Sequence, residues 1–269
     1  MKCYINNVVT NQQVTTDIKL LIPDAGLRRR MSRVIKSAVT TAVECIGGVE
    51  KIDDMDAIIT ATGWGCLADS ERFLRNLIED KEQMLNPTPF IQSTFNTVGG
   101  QIALLRHNHC YNVTYVNRGH SFEDAVLDAM MRIADGESEN LLVGAFDEQT
   151  PSQHRIMERM GLFKHISCGE GAVFAHITST PNEKSIAQIT AIDFPQSPMT
   201  ETECKEKYGS NVDARVLHNT FVEYGQFPTA SAYTLAQAVG MVSTGEKEII
   251  IYNEILGATP TVIVLQCIG

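Results

Sequence analysis

Apolar and polar positions divide the chain into segments with two different periods. "LRRRMSRVIKSAVTTAVECIGG" sets Met31, Val34, Ile35, Ala38, Val39, Ala42 and Val43 three or four apart, which is one helical face, and Gly47–Gly48 supplies the stop. "DAIITATGWG" is a short apolar run closed by glycines and predicts a buried strand. "DSERFLRNLIEDKEQM" predicts an amphipathic helix from Asp69. "NPTPFIQSTFNTVGGQIALLRHN" predicts a Pro-punctuated loop that becomes helical from about Ser93. "NVTYVNRGHSFEDAVLDAMMRIADG" begins as an alternating, β-branched strand, breaks at Gly119 and resumes as a helix. The strands "NLLVGAFDE" and "GEGAVFAHITS" follow, with a short helix near Gln153–Met160 between them.

"PNEKS" at Pro181 reads as a linker, separating residues 1–180 from residues 181–269. Beyond it the pattern restarts: strand "AQITAIDF", helix "TETECKEKYG", strand "DARVLHNT", helix "TASAYTLAQAVGMV", strands "EIIIYNEI" and "TPTVIVLQ". The ends of the two halves rhyme, each reading helix, Gly-Glu turn, buried strand, loop, final strand, which points to an internal duplication. Strands alternating with helices predict an α/β fold with largely parallel, doubly covered sheets.

The formal net charge of −10 argues against duplex nucleic acid or an anionic membrane as the main partner. No apolar run reaches membrane-spanning length, and the N-terminal "MKCYINNVVTNQQ" lacks a secretory core, so a cytoplasmic location is expected. Seven single cysteines without a CxxC pair predict neither a zinc site nor a disulfide framework. "GWG" and "TVGGQ" fall short of a dinucleotide fingerprint, so no cofactor is expected.

Four segments together resemble a β-ketoacyl synthase of the thiolase superfamily. They are "RRRMSRVIKSAV", "NPTPFIQSTFNTVGGQIAL", "GESENLLVGAFDE" with "CGEGAVFAHI", and "YGQFPTASAYTLAQAV" with "EIIIYNEILGATPTVIVLQ". The resemblance implies a thiolase-like, five-layer αβαβα fold, here with a shortened second half. Residues 1–180 would be the ketosynthase-like N-terminal half and residues 181–269 a truncated C-terminal half. It also implies dimerisation through the strand ahead of the elbow, and acyl thioesters on acyl carrier protein as substrates.

A synthase of that family needs a cysteine at the elbow, where helix dipoles favour the thiolate, and two histidines. The matching stretch is Tyr115-Val116-Asn117-Arg118, with Val116 at the nucleophile, and Gln226 stands at one histidine position. The other histidine would come from a segment that is missing. Cys110 lies at the far end of the strand, roughly 20 Å away at about 3.3 Å per residue. Cys66 and Cys168 fall at no predicted helix N-terminus, and buried, inert thiols are expected throughout.

His120, Ser121 and His218 are the alternative catalytic candidates. Ser121 and Asp124 have capping-box spacing, adjacent helix positions point apart, and no G-x-S-x-G is present, so a serine hydrolase is disfavoured. "FDEQT" reads as polar punctuation at a strand end. Arg28, Arg29, Arg30 and Arg33 form a basic cluster, either solvating a helix start or meeting an acidic carrier protein.

The resemblance therefore implies a non-catalytic subunit of chain-length-factor type, like the ketosynthase-like N-terminal proteins of aryl-polyene and flexirubin-type pathways. It would pair with an active ketosynthase, with Phe90, Gln92, Phe95 and Asn96 at the acyl tunnel and dimer seam. Two alternatives stand beside it: a divergent acyltransferase or hydrolase, and a stand-alone homodimeric scaffold.

Overall fold

The computed structural model describes residues 2–162, 167–210, 213–218, 224–255 and 259–268. Among these residues, nine strands form one sheet: β1 (Cys3–Thr10), β2 (Ala57–Ala61), β3 (Tyr111–Tyr115), β4 (Asn140–Asp147), β5 (Gly171–Thr178), β6 (Ala187–Asp193), β7 (Arg215–His218), β8 (Glu248–Asn253) and β9 (Thr261–Cys267). Their order is β3-β2-β4-β5-β1-β6-β9-β8-β7.

That order contains a repeat. β2 and β4 are parallel, β4 and β5 antiparallel, and β5 and β1 antiparallel. β7 and β8, β8 and β9, and β9 and β6 pair in the same three senses. β7-β8-β9-β6 thus restates β2-β4-β5-β1, and the second array has no described counterpart of β3. The chain length explains why. A parallel neighbour needs a crossover of about a dozen residues besides the strand itself. Residues 62–110 lead from β2 to β3, whereas residues 219–230 separate β7 from the Ser231–Ser243 helix.

The helices are α1 (Ile18–Leu21), α2 (Ala25–Arg30), α3 (Arg33–Ile46), α4 (Leu67–Glu79), α5 (Pro87–Ser93), α6 (Thr97–Leu104), α7 (Ser121–Ala134), α8 (Pro151–Arg159), α9 (Glu201–Tyr208) and α10 (Ser231–Ser243). α7 packs on β2, β3 and β4, while α10 packs on β1, β5 and β6 as well as β7, β8 and β9. These two helices form the middle layer. α3 covers the outer face of the first array and α9 that of the second, completing the expected five layers. Period-2 alternation feeds each layer. Ile249, Ile251, Ile263 and Leu265 join the central core, while Ile250, Tyr252, Val262 and Val264 join the outer one under α9. Each fully buried aliphatic side chain contributes about 1.5–3 kcal/mol.

Several local readings change. Parallel pairing between strands is confined, among the described residues, to β2–β3, β2–β4 and β7–β8, so the sheet is mixed rather than largely parallel. The first helical run splits at Met31, which is extended. "NPTPFIQS" is helical, because Pro87 sits in the first turn and Asn86 caps it through Thr88 N at 3.0 Å. The N-terminal segment, read only as lacking a signal, is β1, where the two arrays meet. No helix of the described residues is long and apolar enough to cross a membrane.

Candidate functional site at the elbow between β3 and α7

β3 pairs with β2 on one side only and ends at Tyr115. Val116 follows, 43% exposed, and Asn117 leads into a 3-10 turn over Arg118–His120. Arg118 takes the left-handed conformation at φ +50°. The buried residue of this turn is Gly119, whereas Val116 lies before the turn. Neither carries a nucleophile. The expected capping box does not form: Ser121 is the first residue of α7, and His120 is its N-cap. The Ser121 hydroxyl accepts from Asn117 N at 2.8 Å and lies 2.8 Å from Arg118 O and 3.0 Å from Thr62 O. Asp124 accepts from Asn117 Nδ2 at 2.9 Å. The turn ahead of α7 takes the hydroxyl that the sequence assigns to capping.

Ser121 is fully buried, and the His120 ring faces elsewhere. His120 Nε2 lies 2.7 Å from Thr259 O, and the ring meets Phe194 edge-on at 5.7 Å. His218 ends β7, exposed, with its ring against Tyr252. The structure does not bring Ser121, His120 and His218 together as a catalytic set.

Beneath the elbow lie two buried carboxyls that the sequence reading did not single out. Asp147 ends β4. Its Oδ1 accepts from Thr62 Oγ1 (2.9 Å), Gly63 N (2.9 Å) and Trp64 N (2.7 Å). Its Oδ2 accepts from Thr229 N (3.1 Å) and Thr229 Oγ1 (2.7 Å). Burial pushes this carboxyl above the usual carboxylate range against the pull of those donors. Glu123, in the first turn of α7, accepts from Asn253 Nδ2 (2.7 Å) and Thr261 Oγ1 (3.0 Å). Burial raises it too. The helix dipole, about 0.3–1 kcal/mol, favours its ionised form but is outweighed by desolvation, which costs several kcal/mol per buried ion. The signal in the sequence was an acid closing an otherwise apolar run, "NLLVGAFD".

Beside Asp147, Glu148 accepts from Ala68 N at 2.9 Å and from Arg33 Nη2 at 3.3 Å. Arg33 also forks onto Glu170, so it leaves the basic cluster and ties α3 to the loop ahead of β5. Burial opposes ionisation of Glu170, but the Arg33 bonds and Gln149 N–H prevail and hold its carboxyl below the usual range. Cys66 proves to be the N-cap of α4, contrary to expectation, because the helix starts at Leu67 rather than Asp69. Burial, with Asp69, Glu148 and Asp147 nearby, pushes its thiol far up, so the helix terminus does not activate it.

Gln226 is half-buried and bridges Cys168 in parallel register. Gln226 N donates to Ser167 O at 2.7 Å, and Gly169 N donates to Gln226 O at 3.2 Å. The approach needs glycine: a Cβ on Gly169 would fall 2.0 Å from the Tyr224 carbonyl. A cavity of about 810 Å³ opens here, lined in part by Gln149, His154, Arg155, Cys168 and Glu170.

The seam candidates separate. Phe90 is 54% exposed and packs on Phe73 with centroids 5.1 Å apart. Phe95 is 44% exposed and lies against Gly65. Asn96 is the exposed N-cap of α6 and makes no side-chain capping bond. Gln92 is buried instead, and its amide holds the Arg30 carbonyl.

The family model for the β-ketoacyl synthase N-terminal domain matches residues 6–224. The chain belongs to this family. No curated protein matches it. Among solved structures, this β-ketoacyl synthase-family chain is similar to the ishigamide ketosynthase/chain length factor, with a TM-score of 0.79, 11% identity and coverage of 100% of both chains. It is similar to AntDE:AntF, a type II PKS acyl-carrier protein in complex with its ketosynthase bound to the hexaketide (TM-score 0.78, 14% identity, 99% of each chain). A third neighbour is the ketosynthase ApeO in complex with its chain length factor ApeC from Xenorhabdus doucetiae (TM-score 0.59, 14% identity, 97% of this chain and 96% of that one). At these identities the likeness is one of fold. It matches the five layers and the mixed sheet of the present synthase-family chain.

Proposed function

We propose that the protein is a non-catalytic, chain-length-factor-type subunit that pairs with an active ketosynthase in acyl-carrier-protein-dependent fatty-acyl or polyketide synthesis, of the aryl-polyene kind. The observation that carries this reading is the elbow itself. Where the family mechanism requires a thiol ahead of α7, the elbow holds Val116, Asn117, Arg118 and Gly119. The loop before α10 offers the Gln226 amide in place of an imidazole.

Three further features support the reading. The outer edge of β3 is unpaired among the described residues, and half-exposed apolar residues, Tyr111 on β3 and Val116 just after it, with Phe90 and Phe95 in the segment ahead of α6, make it a surface for a partner's strand. Phe90, Phe95 and Asn96 would contribute to that seam, with Gln92 positioning α5 beneath them. Arg29 and Arg30 of α2 are exposed on a chain of net charge −10 and suit an acidic carrier protein. Two of the neighbours named above are ketosynthase–chain-length-factor pairs.

Co-expression with a catalytically complete ketosynthase from the same genome, followed by native mass measurement, tests the assignment. A one-to-one complex that takes up acyl groups on the synthase chain alone is the expected result. A stoichiometric acyl adduct on this chain would instead make it an enzyme, and a homodimer that ignores the synthase would make it a stand-alone scaffold.

A further inference from the structure

The first turn of α7 holds a carboxyl group in surroundings that leave no place for its charge. Glu123 is fully buried, and its Oε1 takes both hydrogen bonds, from Asn253 and from Thr261. Those two residues face one another across β8 and β9, so one oxygen ties down both stems of the connection between the strands. The other oxygen, Oε2, is buried without a partner. Ser231 Oγ, at the start of α10, and Asn253 Oδ1 are also buried and unpartnered. Ser231 stands close enough for its hydroxyl to favour the ionised carboxyl, but burial outweighs it.

The Ser231 hydroxyl is the one donor placed near Oε2, and Asn253 Oδ1 is a further buried acceptor without a partner. An ionised Glu123 leaves at least one acceptor unpaired in the dry interior. A proton on Oε2 removes the buried charge and turns that oxygen from an acceptor into a donor. Among the described residues facing it, no charged group compensates for ionisation. β8 and β9 present Asn253 and Thr261, and α10 presents Ser231, all neutral. Glu254, next along from Asn253, is exposed, with the Tyr252 hydroxyl 3.4 Å from its carboxylate. On α7 itself, Asp124 turns to Asn117 and His120 to Thr259. Across the repeat, Asp147 does the matching task with five donors rather than two.

We propose that Glu123 keeps its proton in the folded protein at neutral pH, and that this proton makes the junction of α7 with β8, β9 and α10 a pH-sensitive joint, sound when neutral and strained when ionised. The joint couples the elbow to the β8–β9 strand pair whatever partner the chain has. Its sign follows from linkage. The folded state holds the proton longer than the unfolded chain does, so Glu123's own contribution to stability is fully present in acid and declines as pH rises past the ordinary Glu value, about 4.3.

Two measurements test the joint. Isotope-edited infrared spectra of the wild-type protein at neutral pH should contain the carbonyl stretch of a protonated carboxyl, missing from Glu123→Gln. Thermal unfolding should give equal midpoints for wild type and E123Q near about pH 4, with E123Q higher by about 3 °C or more near about pH 8. An ionised Glu123 in the wild-type spectrum overturns the proposal, even if the variant fails to fold. A midpoint difference constant with pH, or one that follows added sodium or potassium rather than pH, also overturns it.

Discussion

Asp147 and Thr229 are bonded twice: the amide of Thr229 reaches Oδ2 at 3.1 Å and its hydroxyl reaches the same oxygen at 2.7 Å. Asp147 closes β4 of the first array and Thr229 opens the approach to α10 of the second, so this pair crosses the repeat. Thr229→Val keeps the shape and removes one donor from a buried carboxyl. It should cost about 1–3 kcal/mol, read as a lower urea midpoint at unchanged slope.

Arg33 gives a pH-dependent prediction. Its guanidinium lowers Glu170, and a carboxyl lowered on folding contributes stability that is present above its unfolded value and lost as pH falls through the folded one. Arg33→Gln should lose about 1 kcal/mol at neutral pH, a modest figure because Arg33 is 63% exposed. The difference from wild type should close in acid, once Glu170 and Glu148 are protonated; urea titrations at a series of pH values would show it.

The glycines of "GEGA" are required by close approach. A Cβ on Gly171 would lie 1.9 Å from Tyr233 Oη, so Gly171→Ala should destabilise by about 1–3 kcal/mol. Gly240, inside α10, has nothing within 4 Å of such a Cβ. Gly240→Ala should stabilise by about 0.5–1 kcal/mol. Thermal melts of the pair separate steric from conformational effects.

The thiols give a chemical readout. Burial pushes Cys3 and Cys45 up to about 12 and raises Cys66 further. Native protein treated with an alkylating reagent near neutral pH should be modified only at Cys110, Cys168 or Cys267, the partly exposed ones. Rapid labelling of Cys66 in peptide mass maps would contradict its buried position.

How much of this could be read in the sequence depended on how local the cause was. The face of α3 and its end at Gly47, which is left-handed at φ +87°, follow from spacing and one residue's conformational freedom. The strand–turn–helix of the elbow and the rhyme of the two halves were legible for the same reason. Asp147 was read as punctuation because its burial arises from Thr62, Trp64 and Thr229, which are remote in the chain. Ser121 was read as a cap because spacing alone does not reveal that a 3-10 turn precedes the helix. Gln92 counted as a seam residue because nothing near it in sequence shows that it grips the Arg30 carbonyl.

A sheet of nine strands has two rims, and here they differ in strength. β3 runs five residues in register with β2, whereas β7 runs four with β8, and among the described residues neither has a neighbour beyond it. Thermal fraying should start at the β7 rim, where the shortest ladder holds the outermost strand. Amide protons of Arg215–His218 should therefore exchange with solvent well before those of β4, and β1, where the two arrays are joined, should be among the last to let go.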